Sequence, residues 1–501
     1  MAKRWAGYRS DPYVAGWADA PPGMAEHALS GRAGQRRAWP ALLGLLVLAA
    51  GAAVLVQLKP DGADAYPKHW DRRVLAAVHF VEHDRGLAFK HPIKVEFLSV
   101  AAFTRRVTPP SSADDGVWGA QDGLDADLEA IGLVPSDVDF SQARRQINSS
   151  IVLGFYDYDT QHIVVRGSSL SPAANVTLVH ELTHALQDQY YDIGRRGRLL
   201  APPTANARPS ALRDGFLAVV EGDARDVEYD YLRSRSAAER AAIAREDDAG
   251  RKQAVAGTKD VPQTLIALDE VPYELGRGLV AYQRQAGGAQ SERQLFRRWP
   301  SSDMQILQPW RYVDGDVPVP LDLPDPPDGV EPFDSGTLGA VDWYLMLAER
   351  LGPARALAAA DGWAGDAFVA YRVNEEPCVR ADLRATTPAA LAGLHRALDA
   401  WARTVPALRP RITAAGDTVR LQSCAPQTGS VTVPDRTGPA LAYATERSDL
   451  ATALLRDGTP ERAAACVATR LLRKVPVSAL VAAQASPRTK RIARQARAAC
   501  T

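Results

Sequence analysis

Apolar residues recur along this chain at two spacings, which separate predicted helices from predicted strands. Apolar positions three and four apart predict helices over residues 69–88, 171–194 and 211–232. Alternation of apolar and polar residues predicts strands at 93–100, 151–155 and 162–165, the last two forming a hairpin. The pattern therefore predicts an α+β fold that is mainly helical.

The second half of the chain continues this mixture. Residues 389–401 predict a helix and residues 418–422 a short strand. A linker rich in glycine and proline at 429–439 precedes residues 440–501, which are mostly helical and basic. We therefore expect one domain over residues 69–428 and a small C-terminal helical region at 440–501.

An apolar run without any charged side chain covers residues 39–58. It is long enough to cross a bilayer as a helix, so we expect one N-terminal transmembrane anchor. Arg36 and Arg37 directly precede it and predict a cytoplasmic N-terminus with the rest of the chain outside the membrane. Residues 1–38 lack periodicity and are predicted to be disordered, and residues 59–68 are predicted to be a linker.

The competing interpretation of the apolar run is a cleaved signal peptide. Ala63-Asp64-Ala65 resembles the small-residue pattern of a cleavage site. The long N-terminal segment and the full bilayer length of the run favour an uncleaved anchor instead. Both interpretations place the folded domain at the extracytoplasmic side of the cell membrane.

The net charge argues against nucleic-acid binding, and the cysteine content predicts disulfides. The formal net charge is +0, so no bulk electrostatic attraction to nucleic acid is expected. The chain has four cysteines, all after the apolar run, and an even number outside the cytoplasm predicts two disulfides. Three connectivities exist, and proximity in sequence favours Cys378–Cys424 and Cys466–Cys500.

The strongest chemical motif is His180-Glu181-Leu182-Thr183-His184, inside the helix predicted for 171–194. Two histidines four apart share one helix face and can bind one metal ion. Glu181 is placed to hold a water on that ion, and this ligand set suits zinc. The helix itself is well marked, by Ser171-Pro172 at its start and by Gly194 as the predicted C-cap.

The motif and its apolar frame resemble the zincin metallopeptidases. The metzincin branch would have glycine and histidine at positions 187 and 190, whereas this chain has Gln187 and Tyr190. The gluzincin branch takes its third ligand from a glutamate on a second helix, and Glu221 in Glu221-Gly222-Asp223-Ala224 matches that description. A buried carboxylate is costly unless it is paired or bound to a metal. A surface position for Glu221 stays open, with Asp223 and Asp214 as the next candidate ligands.

Further blocks resemble those of an uncharacterised group of bacterial gluzincin-like proteins that share H-E-L-T-H-A-L-Q-D-Q and E-G-D-A. The resemblance covers roughly residues 70–425 and implies a zincin-like domain whose active-site helix follows a hairpin and an edge strand. That strand would bind an extended peptide substrate. Where such relatives would have histidine before Pro309, this chain has Gln308, which leaves Tyr273 and Tyr312 as candidate oxyanion donors.

The predicted function is a membrane-anchored, extracytoplasmic zinc metalloendopeptidase. Zinc is held by His180, His184 and Glu221, and Glu181 is the general base. Asp188 follows His184 by one helical turn and is a candidate acceptor that orients its imidazole, with an exposed carboxylate as the alternative. The rival prediction is a catalytically silent zincin-fold binding module of the cell envelope. A purely structural zinc site would need a fourth protein ligand, and none is evident. The sequence predicts neither the substrate nor the oligomeric state.

Overall fold

The computed structural model describes residues 66–107, 122–167, 169–200, 211–426, 431–480 and 486–500. The anchor predicted at 39–58 lies outside these residues, as do the segment 1–38 and most of the linker 59–68. Within the described part of the chain, no helix is both long enough and apolar enough to cross a membrane.

The first half of the chain packs helices around a small sheet, as the mixed pattern predicts. The sheet has the order β1-β3-β2, with β1 parallel and β2 antiparallel to β3. Its strands are β1 (Lys94–Leu98), β2 (Gly154–Asp157) and β3 (His162–Arg166). The helices are α1 (Leu75–Arg85), α2 (Val100–Val107), α3 (Asp122–Ala130), α4 (Phe140–Ile151), α5 (Pro172–Tyr191), α6 (Ile193–Leu199), α7 (Ala211–Ser234), α8 (Ala237–Gly257) and α9 (Gln263–Leu295).

Helix α5 carries the histidine motif and begins as predicted. The Ser171 side chain accepts a hydrogen bond from the backbone N–H of Ala174, and Pro172 occupies the first turn. The predicted C-cap at Gly194 is wrong, because the helix ends at Tyr191. Asp192 adopts the left-handed conformation there with φ of 54°, and its N–H donates to the Asp188 carbonyl.

A second sheet forms in the other half of the chain, with antiparallel order β4-β5-β6-β8-β7. Its strands are β4 (Pro332–Gly336), β5 (Trp363–Val373), β6 (Glu376–Ala385), β7 (Arg411–Ala415) and β8 (Thr418–Cys424). The helices around it are α10 (Met304–Leu307), α11 (Pro309–Val313), α12 (Ala340–Leu351), α13 (Pro353–Ala360) and α14 (Pro388–Ala402), with a 3₁₀ turn at Pro406–Leu408. The predicted strand at 418–422 is confirmed as β8, whereas β5 and β6 were not predicted.

Four helices follow, α15 (Thr437–Arg456), α16 (Glu461–Leu472), α17 (Val477–Leu480) and α18 (Pro487–Ala498). The C-terminal region is helical as expected. It is not separate in its packing, since its buried residues join one hydrophobic cluster with residues of α9, α12 and the second sheet. Arg277 on α9 also contacts both carboxylate oxygens of Asp449 on α15, at 2.6 and 2.7 Å.

Both predicted disulfides are present. Cys378 on β6 and Cys424 on β8 lie directly opposite each other in the sheet register and are bonded. Cys466 on α16 is bonded to Cys500, which follows α18. The described residues contain no free cysteine. This chemistry is compatible with an extracytoplasmic location.

Candidate metal centre

Helices α5 and α7 bring His180, His184 and Glu221 together inside the protein. Both histidines are fully buried and Glu221 is 6% exposed. The two Nε2 atoms are 2.9 Å apart, and the Glu221 Oε2 atom lies 3.4 Å from His180 Nε2 and 3.2 Å from His184 Nε2. The predicted ligand set therefore forms one buried group that could hold a metal ion.

The other nitrogen of His184 is held by a neighbour on the same helix. The Nδ1 atom lies 3.1 Å from Oε1 of Gln187, which can only accept a hydrogen bond. Gln187 is fixed in turn, since its Nε2 donates to Asp223 at 2.7 Å and to the Val220 carbonyl at 3.0 Å. The proton of a neutral His184 therefore sits on Nδ1, which leaves a lone pair on Nε2.

His180 is held in the same sense by a carboxylate of α7. Its Nδ1 lies 2.7 Å from Oε1 of Glu228, an ion-pair contact that does not meet hydrogen-bond geometry, and Glu228 is itself paired with Arg225. Arg225 also reaches Glu274 on α9. A neutral His180 accordingly carries its proton on Nδ1 and, like His184, directs a lone pair from Nε2 toward Glu221.

The two imidazole lone pairs and one carboxylate oxygen therefore face one another, and none of these three atoms carries a proton. Only a cation can satisfy all three, either an added proton or a metal ion. Two nitrogen ligands at the usual zinc distance are about 3.3 Å apart in tetrahedral geometry. The observed separations of 2.9 to 3.4 Å lie close to this value. The donor set therefore fits a first-row divalent metal.

The pKa values of His180 and Glu221 in the metal-free protein also indicate a site for a cation. Burial by itself lowers the pKa of His180, but the carboxylates of Glu228, Glu221 and Glu181 raise it to about 10. Burial raises the pKa of Glu221, and the imidazoles of His184 and His180 more than reverse this, bringing it to about 2. The buried group therefore favours a bound cation.

Glu181 lies next to this group and is not part of it. The residue is 0% exposed, and neither carboxylate oxygen has a hydrogen-bond partner in the protein. Burial raises its pKa to about 7, against the lowering effect of the two imidazoles. A buried carboxylate without a partner is costly, so its presence calls for a ligand or water at this position.

Asp188 does not orient His184, and that prediction is wrong. Its carboxylate accepts hydrogen bonds from the backbone N–H of Gly194 at 2.9 Å and from the Tyr156 hydroxyl at 3.1 Å. It therefore stabilises the start of α6 and the hairpin beside it. Asp223, the alternative metal ligand, is also committed elsewhere, to Gln187 and to Arg85 at 2.8 Å.

The two tyrosines predicted as oxyanion donors have different surroundings. The ring of Tyr273 stacks on His180 with 6.0 Å between centroids, so this residue does border the centre. The prediction for Tyr312 is wrong, because its hydroxyl donates to the Arg298 carbonyl at 2.7 Å in a separate hydrophobic cluster. Tyr158 was not predicted, yet its ring centroid lies 6.4 Å from that of His184. Burial and the carboxylates of Glu221, Asp188 and Glu181 raise the pKa of Tyr158 well above its usual value.

Sequence reasoning also missed Gln187 and Glu228, which hold the two imidazoles. A signal for each was present in the helical spacing. Gln187 follows His184 by three residues, and Glu228 follows Glu221 by two helical turns on the same face of α7. Comparison with models of known protein families, with curated proteins and with solved structures finds no match.

Proposed function

We propose that this protein is a zinc metallopeptidase. One observation carries the proposal, namely that an unpartnered, fully buried glutamate adjoins a convergent pair of imidazoles and a carboxylate. A site that only stores metal has no need of Glu181. The resemblance of the motif to gluzincins supports the same function and favours zinc among the metals that fit.

Zinc bound by His180, His184 and Glu221 would supply a Lewis acid and activate a water molecule. Glu181 then accepts the proton of the attacking water and passes it to the leaving amine. Gln187 and Glu228 keep both imidazoles in the tautomer that leaves Nε2 free. Tyr273 and Tyr158 are the candidates for holding the oxyanion.

Strand β2 supports a peptide as the substrate class. It is an edge strand of the first sheet, paired on one side only with β3. The strand passes close to the general base, since a Cβ atom added at Gly154 would lie 3.5 Å from Cγ of Glu181. An extended peptide that pairs with this edge through main-chain hydrogen bonds would place a carbonyl near Glu181.

The site also bears on the rival proposal of a silent binding module. Such a module would be expected to lose Glu181, or to pair it with a protein group, because an unpartnered buried carboxylate destabilises the fold. Neither change is seen, so catalysis is the better supported function. The two disulfides and the apolar run at residues 39–58 support an extracytoplasmic domain with a single-pass anchor.

The proposal is tested by digestion of a broad peptide library with zinc-loaded protein and with Glu181→Gln. We expect the wild type to cleave internal peptide bonds, and cleavage to stop with a strong chelator and return with added zinc. Glu181→Gln should retain the fold and lose activity by several orders of magnitude, because water activation and proton transfer are both lost. Cleavage by Glu181→Gln at the wild-type rate, or no cleavage by zinc-loaded wild type, would contradict it.

A further inference from the structure

A cavity lies away from the metal centre and has no role in the proposed reaction. It has a volume of about 530 Å³ and lies between the turn at Gln308 and one face of α16. This volume is typical of cavities that bind small molecules. None of its lining residues belongs to the metal group, so ligand binding in this cavity does not depend on the proposed function.

The inner wall of this cavity contains polar groups without partners. Gln308 is 5% exposed, and its Nε2 atom has no hydrogen-bond partner. Behind the lining residue Trp310, the buried hydroxyl of Tyr282 is also unpartnered, with the two rings in edge contact at 6.2 Å. Buried polar groups are nearly always hydrogen-bonded, so the Gln308 amide indicates a polar ligand in the cavity.

The cavity is positively charged at one end. Arg470 and Lys474 line that end and have no ion-pair partner within the described ranges. Asp361 does not neutralise them, because Arg447 and Arg473 already occupy its two oxygens, the latter at 3.0 Å. This end therefore offers two uncompensated cations to an anionic group.

The opposite end of the cavity is negatively charged. Glu461 begins α16 and has no ion-pair partner among the residues that the structure describes. Asp314 also lines this end of the cavity. Among the described residues, its one ion pair is a 3.8 Å contact with the highly exposed Arg462. Between the two ends the wall is apolar, formed by Trp310, Ala465 and the disulfide-bonded Cys466.

We propose that this cavity binds a short peptide with free ends, its carboxylate at Arg470 and Lys474 and its amino group at Glu461. Positions 461 and 470 are nine steps apart on α16, a rise of about 14 Å along the helix axis. Four residues of extended peptide span about 13–14 Å, so a tetrapeptide has the length of this axial separation. The Nε2 amide group of Gln308 then donates a hydrogen bond to the peptide backbone. A polyanion such as a polyphosphate would instead meet the acidic end and be repelled.

The test is calorimetric titration of the full-length Glu181→Gln protein, which cannot consume the probe by the proposed reaction. Three probes are compared, namely tetra-alanine, its C-terminal amide and its N-acetyl derivative. We expect tetra-alanine to bind at one site per chain. Blocking either end of the peptide should weaken its binding about tenfold. The loss of affinity caused by the C-terminal amide should be larger at low ionic strength.

Variants locate the site. Arg470→Ala combined with Lys474→Ala should weaken tetra-alanine binding about tenfold and leave the affinity for the C-terminal amide almost unchanged. Arg488→Ala with Lys490→Ala removes the same charge from exposed positions on the adjacent α18 and should have no effect. The proposal is overturned if tetra-alanine does not bind, if both blocked probes bind as well as the free peptide, or if the two double variants behave alike. The blocked probes decide the outcome even if a variant fails to fold.

Discussion

Each imidazole of the candidate metal centre contacts a polar side chain through its Nδ1 atom. Helical side chains lean toward the N-terminus, which led us to expect Asp188, four residues after His184, to hold its ring. Gln187, three residues after His184, takes that place, since its other end is anchored to α7 through Asp223. Asp188 is drawn away because α5 ends at Tyr191 and the backbone N–H of Gly194 needs an acceptor.

Substitutions of Gln187 and Asp188 should therefore affect different properties, namely zinc affinity for Gln187 and thermal stability for Asp188. Gln187→Ala removes the partner of His184 Nδ1, and we expect zinc affinity to fall about 10–100-fold. Asp188→Ala should leave zinc affinity within about threefold of wild type and lower the melting temperature, because it removes a buried acceptor for a backbone N–H in the first turn of α6.

Both affinities can be measured by competition with a chromogenic chelator, with thermal unfolding followed in parallel. The assignment would be reversed if Asp188→Ala lost zinc and Gln187→Ala kept it. Glu228→Ala provides a second case, since Glu228 holds the other imidazole, and it should resemble Gln187→Ala in zinc affinity.

At the scale of elements, the centre depends on how closely α7 and α9 approach each other. A Cβ atom at Gly222 would lie 2.2 Å from the carbonyl carbon of Gly276 on α9, and one at Gly276 would lie 2.2 Å from the Ala218 oxygen. The glycines thus form a backbone contact that sets Tyr273 and Glu274 of α9 beside the metal centre.

Gly222→Ala should therefore destabilise the protein, although alanine favours helix. The added methyl group forces the two backbones apart, and overpacking of this kind costs about 1–3 kcal/mol. Gly393→Ala on α14 is the matched control, since the atom nearest to the added Cβ would be a side-chain nitrogen of Arg396 at 3.9 Å. It should stabilise by about 0.5–1 kcal/mol. Chemical denaturation compares the two, and equal effects would refute the contact.

The elements that the sequence predicted are those whose apolar spacing is regular. Helix α5 and strand β3 follow such spacing closely, whereas the first hairpin strand, expected at 151–155, is β2 at Gly154–Asp157. Strands β5 and β6 do not, because charged residues interrupt both of them, including the buried Asp366 and Asp382. Asp366 accepts hydrogen bonds from the N–H groups of Leu338 and Gly339, contacts that exist only in the folded chain. Local pattern could not have revealed that a carboxylate at this position faces inward.

At the scale of the whole molecule, proximity in sequence predicted the disulfides and failed for the packing of the C-terminal helices. Cys378 and Cys424 pair because the strands that carry them are antiparallel neighbours in one sheet. The linker composition at 429–439 predicted a separate region, yet Ala440 and Ala444 of α15 are buried in the principal core cluster. Such long-range contacts leave little trace in a single sequence.

Membrane topology is a prediction at this scale. The uncharged run at residues 39–58 and the preceding Arg36 and Arg37 predict a cytoplasmic N-terminus and an external C-terminus. In spheroplasts, external protease should remove a C-terminal tag and leave an N-terminal tag protected. A protein lacking residues 39–58 serves as the control and should no longer fractionate with membranes. A protected C-terminal tag would contradict both the topology and the compartment implied by the disulfides.

The central claim is that His180, His184 and Glu221 hold zinc while Glu181 does not touch it. The most direct measurement is the zinc content per chain of wild type, Glu181→Gln and Glu221→Gln, determined by elemental analysis after gel filtration. We expect about one zinc for wild type and for Glu181→Gln, and little for Glu221→Gln, which loses one of three protein ligands. Zinc retained as tightly by Glu221→Gln as by wild type, or lost from Glu181→Gln, would contradict the claim.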